Sequence, residues 1–95
     1  MKRTATATEK KHLARVAQMN CVVCEQIGFV TPCQQVHHVR ARHGWGRTSH
    51  MAVIPLCWEH HQGKTGVHSM GREQFAEMYG KSEIEMMDII NERLK

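Results

Sequence analysis

Aromatic side chains are scarce in this chain: two Trp, two Phe and one Tyr among 95 residues. A core with so few large side chains is small, and domains of this size commonly need a metal or disulfides to hold them. Long apolar runs are missing too. No stretch approaches the ~20 residues of a membrane-spanning helix, and the basic N-terminus is not followed by the apolar segment of a secretory signal. The expectation is a protein of a reducing cytoplasm. Acids are rare over most of the length. Residues 1–72 hold ten Lys/Arg against three acids (Glu9, Glu25, Glu59), whereas residues 73–95 hold three against six. The net charge of +4 therefore conceals a basic body and an acidic tail. Basic surface suits a polyanion such as nucleic acid, and a merely solvated face has the same composition. The length fits one domain, 1–95, and no repeat, low-complexity tract or linker divides it.

What the chain has in excess is histidine, eight residues of it beside four cysteines. In a reducing compartment that mixture points to metal before disulfides. Cys21-x-x-Cys24 and Cys57-x-x-His60 each aim two ligands at one point, with thirty-two residues between the pairs. Zinc takes four tetrahedral nitrogen or sulfur ligands, and these four supply them as a structural staple. The spacer is too long for one finger of the two-Cys, two-His type and long enough for a hairpin. Apparent zinc-binding energies of about 10–16 kcal/mol are large enough to decide folding in so short a chain. Cys33 is the odd thiol. It can replace one of the four or line the core, and it is left out of the set.

His60 is followed directly by His61. Consecutive helical residues point about 100° apart, so the two rings do not share a target. If His60 turns back to the zinc, His61 faces the hairpin, which carries His37 and His38. One of that pair can bind a metal with His61 while the other acts as general base on water, since neutral imidazole does both near pH 7. Neighbours on a regular strand point to opposite faces, so both serve one site only at a strand end or a bulge.

In chain order, Met1–Thr8 is polar and reads as a frayed arm, with Lys2 and Arg3 in reach of phosphates or simply solvated. Thr6-x-x-Glu9 has capping-box spacing and opens a helix to Met19 with Leu13, Val16 and Ala17 on one face; His12 lies beside that stripe, on the surface or as a satisfied core residue. The Cys21–Cys24 knuckle and a loop with Gly28 and Pro32 follow, to about Gln34. Gln35–Arg40 reads as a strand, Ala41–His50 as a glycine-rich basic loop around Trp45, and Met51–Leu56 as a second strand closed by Pro55. A short helix spans about Leu56–Lys64, then a loop from Gly63 to Gly71 contains His68. Gly71–Tyr79 reads as a helix with Phe75, Met78 and Tyr79 apolar, ended by Gly80. Ser82-x-x-Glu85 opens a last helix to about Leu94, striped by Ile84, Met87, Ile90 and Leu94 and backed by Met86. The fold class is α+β.

Several of these motifs, in this order, resemble the HNH endonucleases of the ββα-metal group. Within that group they resemble the phage-associated recombination enhancement function nucleases, described as RecA-dependent. The matching stretches are His37-His38-Val39-Arg40, Arg47-Thr48-Ser49-His50, Pro55-Leu56-Cys57-Trp58-Glu59-His60-His61 and Gly66-Val67-His68-Ser69-Met70-Gly71-Arg72, within about residues 19–92. The resemblance implies a small zinc-stapled ββα-metal (HNH, treble-clef-like) core with flanking N- and C-terminal helices. It makes His38 the general base and His37 and His61 holders of a catalytic divalent metal (Mg, Mn, Zn or Ni). His68 either completes that shell or is a loop histidine. His50 stands near the usual position of an HNH asparagine; it orients His38, binds metal, or lies on the surface. Two departures stand out: His60 replaces the usual fourth cysteine, and the middle asparagine is missing unless His50 substitutes for it.

Arg40, Arg42, Arg47 and Lys64 flank these histidines in sequence and suit phosphate contact, or a solvated face. Trp45 suits stacking on a base or capping the core; Trp58 suits packing beside zinc. The implied function is metal-dependent hydrolysis of DNA phosphodiesters by a phage- or prophage-derived enzyme of recombination or DNA processing. DNA, single- or double-stranded, is the implied partner, with a recombinase filament as a second. The long N-terminal extension of the recombination nucleases has no counterpart here, which sets RecA dependence apart from the rest of the resemblance. The alternative is a zinc-stapled nucleic-acid-binding module without catalysis. A third reading, an adaptor docking through the acidic, Met-rich last helix, competes with ordinary packing of that stripe.

Overall fold

The computed structural model describes residues 6–39 and 52–94, in which six helices pack around a two-stranded antiparallel sheet. Strand β1 (Gln35–His38) pairs with β2 (Val53–Leu56), Gln35 opposite Leu56 and His38 opposite Val53. All four β2 residues are buried, with helices α1 (Ala7–Ala17), α2 (Val22–Gln26) and α6 (Glu83–Arg93) against the strand. Pro55 lies inside β2 rather than closing it. Val39 N donates to Ala52 O at 2.8 Å, and alternation along the ladder leaves Pro55, opposite Val36, where no amide donor is needed.

Helix α1 begins at the expected box: Glu9 N donates to Thr6 Oγ1 (3.1 Å) and Thr6 N to Glu9 Oε1 (3.0 Å). Ala7 and Thr8 are therefore helical, not part of an arm. Its inner face carries Glu9, His12 and Val16, while Ala17 is exposed. Val16 and His12 are four apart and share a face, which rotates the buried stripe away from Ala17. His12 is buried, and its Nε2 has no hydrogen-bond partner among the described residues.

The cysteine knuckle runs on into α2, a turn of helix that the loop reading does not contain. Cys21 caps it, its Sγ accepting from Cys24 N at 3.4 Å. The following loop is tied back by Cys21 N to Thr31 O (2.7 Å) and Cys33 N to Met19 O (2.9 Å). After β2 come α3 (Trp58–His61), α4 (Val67–Met70) and α5 (Arg72–Tyr79). Helix α4 replaces the expected loop around His68. Gly66 makes its seat: a Cβ there would stand 2.6 Å from Glu59 O and 2.8 Å from the carbonyl carbon of His61, so only glycine lets this backbone lie on α3. Helix α5 ends at Gly80 in the left-handed conformation (φ 74°), as its sequence predicts.

Helix α6 carries a second capping box, Glu85 N to Ser82 Oγ (3.1 Å) and Ser82 N to Glu85 Oε1 (2.8 Å). Its buried residues are Glu83, Met86 and Ile90; Ile84, Met87 and Leu94 pack at the margin. The core side of α6 is thus turned toward Met86, away from the Ile84–Met87 line. On α5, Phe75 is fully buried, whereas Met78 is 57 % exposed and does not join the core.

Candidate metal centres

Cys21, Cys24, Cys57 and His60 are all buried and bring their ligand atoms together. The knuckle supplies two sulfurs from the start of α2; Cys57 caps α3, and one turn later His60 points back at it. Nδ1 of His60 lies 3.2 Å from Cys57 Sγ, 3.4 Å from Cys24 Sγ and 3.6 Å from Cys21 Sγ, and the Cys24 and Cys57 sulfurs are 3.7 Å apart. Tetrahedral zinc, at about 2.3 Å to sulfur and 2.0–2.1 Å to nitrogen, sets S···S near ~3.8 Å and S···N near ~3.6 Å. The four residues therefore fit a structural metal such as zinc. Burial pushes the Cys21 thiol up to about 12, so its sulfur gives up a proton readily only to a cation that replaces it. Burial lowers His60, which keeps its ring a neutral donor. The His60 ring meets Tyr79 edge-on at 5.5 Å between centroids, and Tyr79 Oη donates to Thr65 O at 2.9 Å. Cys33 is half-buried and stands outside this set. Trp58, at the start of α3, is 54 % exposed, so its indole is only partly covered.

One residue beyond His60, His61 faces the other way. His61 Nε2 lies 3.1 Å from His37 Nδ1 and 3.0 Å from His68 Nε2. These three nitrogens form a second group able to hold a metal, graded from the buried His37 through the half-buried His61 to the exposed His68. Strand β1 supplies His37, α3 supplies His61, and α4, seated through Gly66, supplies His68. Metal–nitrogen bonds of about 2.1 Å at right angles place neighbouring nitrogens ~3.0 Å apart, the spacing of adjacent ligands in an octahedral shell. Both separations fit that shell, which leaves positions open for oxygen ligands. His61 is lowered to about 4 by burial first and then by the neighbouring His37 and His68, so its ring stays neutral and ligand-competent well into acid.

The group lines an open cavity of about 520 Å³, walled also by His38, Val36, Val67, Gly71, Arg72 and Glu83. His38 is the last residue of β1, a strand end, where the strict alternation of faces lapses. Lys64 is exposed in the turn between α3 and α4 and is not part of the cavity wall, whereas Arg72, at the start of α5, is. Arg40, Arg42, Arg47, Trp45 and His50 lie outside the described residues, as do Lys2 and Arg3.

Two polar side chains that motif spacing does not single out touch the histidines. Glu83 Oε2 accepts from His37 Nε2 at 3.0 Å, with both side chains nearly buried. Gln35 Oε1 accepts from His61 Nδ1, and from Gln62 Nε2 at 3.0 Å. Glu83 is forty-six residues from His37 and reads locally as an acid in a helix's first turn. Gln35 offers a better signal: it is two residues before His37, on the same strand face.

Among the described residues no helix is long and apolar enough to cross a membrane. None of the curated proteins compared matches the chain. A family model described as "Recombination enhancement, RecA-dependent nuclease" matches residues 5–95. With all but its first four residues covered by that match, the chain belongs to the recombination enhancement, RecA-dependent nuclease family.

Proposed function

We propose that the chain, acting as one domain over residues 1–95, is a divalent-metal-dependent HNH endonuclease of phage or prophage origin. It hydrolyses DNA phosphodiester bonds in recombination or DNA processing in the cytoplasm, on a zinc-stapled ββα-metal core of treble-clef type. The observation that carries this reading is the convergence of His37 Nδ1, His61 Nε2 and His68 Nε2 in one cavity with His38 on its wall. A binding module stapled by Cys21, Cys24, Cys57 and His60 has no need of that second group. Family membership points the same way, since the family is described as nucleases.

In this mechanism His37, His61 and His68 would hold the ion through nitrogen donors. Three imidazoles suit a transition ion such as Mn, Co, Ni or Zn better than Mg, which favours oxygen donors. A divalent ion bound there would supply positive charge where negative charge develops on the scissile phosphate. His38 accepts the proton of the attacking water. The water oxygen forms its bond to phosphorus as the bond from phosphorus to the leaving oxygen breaks. His50 orients His38. Arg72 contributes positive charge at the cavity, and Arg40, Arg42, Arg47 and Lys64 hold flanking phosphates, which fix position without reading sequence. A RecA filament on the DNA is the partner that the family's description suggests.

Incubating supercoiled plasmid with the zinc-loaded protein and added Mg²⁺, Mn²⁺, Co²⁺, Ni²⁺ or Zn²⁺, with and without RecA filaments, tests this. Nicking with at least one transition ion, lost when that ion is dialysed away and restored on its return, is expected. Binding of DNA without cleavage under every condition identifies the non-catalytic zinc module instead.

A further inference from the structure

We infer that Glu83 is a positioning residue that sets the tautomer of His37, so that Nδ1 and not Nε2 is presented to the metal. The inference rests on the proposed metal role of the three-histidine group. Glu83 is not one of that group's ligands and acts only through His37. A carboxylate oxygen accepts and does not donate, so the 3.0 Å contact with Glu83 Oε2 places the ring hydrogen on His37 Nε2. The lone pair is then left on Nδ1, the nitrogen that faces His61.

With Gln35 Oε1 as the acceptor facing both His61 Nδ1 and Gln62 Nε2, His61 carries its hydrogen on Nδ1 and its lone pair on Nε2. Two lone pairs thus face one another across 3.1 Å. That arrangement is repulsive without a cation and attractive around one. Glu83 and Gln35 hold two donors aimed at a common point before any ion arrives, as partners of metal-bound histidines commonly do.

Glu83 is costly where it stands. It is 5 % exposed, and its other oxygen, Oε1, has no hydrogen-bond partner among the described residues. Burying a carboxylate with so little compensation opposes folding, so its contact with His37 is what the position offers in return. It is the first residue of α6, one residue after the Ser82 cap, on a helix packed against β2.

Two measurements test this on the full, zinc-loaded chain. Titration with Co²⁺, followed by calorimetry and visible absorbance, should show Glu83→Ala binding the exchangeable ion roughly 10–100-fold more weakly than wild type. Glu83→Gln, whose amide oxygen can accept the same hydrogen, should recover most of the loss, with one zinc per chain retained throughout. Nitrogen and carbon NMR of the His37 ring, with zinc in place and no added ion, should show the Nε2–H form in wild type and a mixture in Glu83→Ala. His61→Ala serves as the control: Co²⁺ binding as tight as wild type there means that the three-histidine reading fails. Loss of binding in His61→Ala, together with wild-type binding in Glu83→Ala, overturns the role of Glu83 alone. A His37 ring carrying its hydrogen on Nδ1 in the wild-type protein overturns it too, with no variant required.

Discussion

At the scale of single residues, the stretch Cys57–His61 divides its donors between two centres by choice of ring atom. His60 turns Nδ1 into the cysteines, and His61 turns Nε2 toward His37 and His68. The divergence follows from helical rotation between neighbours and was legible in Cys-x-x-His-His alone. Because the four zinc-type ligands are buried and mutually close, a single loss leaves buried donors without a partner. Cys57→Ala is expected to remove the tightly held metal and the cooperative thermal transition together, read by metal content and circular dichroism; a folded, zinc-loaded variant would contradict the staple. Glu83 was not legible, because its contact with His37 is purely tertiary and a first-turn acid already has a local reason to be there. Among the described residues, Arg72 lies on the cavity wall and Lys64, nearer the histidines in sequence, does not.

At the scale of elements, the site depends on how closely α4 approaches α3. Val67–Met70 is a single turn between Gly66 and Gly71, too short for periodicity to announce a helix, which is why His68 read as a loop residue. Glu59 holds the turn between the helices by accepting from Thr65 N (3.0 Å) and Thr65 Oγ1 (2.8 Å), and those bonds keep its carboxyl below the usual range. Gly66 then sits against the carbonyls of α3. Gly66→Ala forces the two backbones apart and is expected to cost about 1–3 kcal/mol of stability, as overpacking does. The same variant should weaken the exchangeable ion while leaving the zinc count unchanged, because only His68 rides on α4. Equal metal affinity in wild type and variant would show that His68 does not need this seat. The long helices were easier to read, since capping boxes and Gly80 mark their ends. Their buried faces were harder. Which residue of α6 points inward is decided by the angle at which the helix meets β2, and Met86, not Met87, is the one fully enclosed.

For the whole molecule, one short scaffold carries two donor sets of different burial, each able to hold a metal. The buried set ties the first knuckle to α3, and the open set lies along a cavity reaching from β1 to α4. A chain with few aromatics builds its core from Val, Ile, Leu, Met and a single fully buried Phe75, so a metal held by the buried set would carry a large share of its order. Met86 and Ile90 of α6 face the core, with Ile84, Met87 and Leu94 packed at its margin, while Glu73, Glu77, Glu85, Asp88 and Glu92 stay exposed. In the proposed mechanism, ion binding and proton transfer reside in different histidines of one cavity. The direct test is His38→Ala in the zinc-loaded protein, with Co²⁺ binding and plasmid cleavage measured side by side. Unchanged Co²⁺ affinity with cleavage reduced by roughly 10²–10⁴-fold, the range for removal of a general base, is the predicted result. Wild-type cleavage in His38→Ala, or loss of the bound ion with it, would contradict the account.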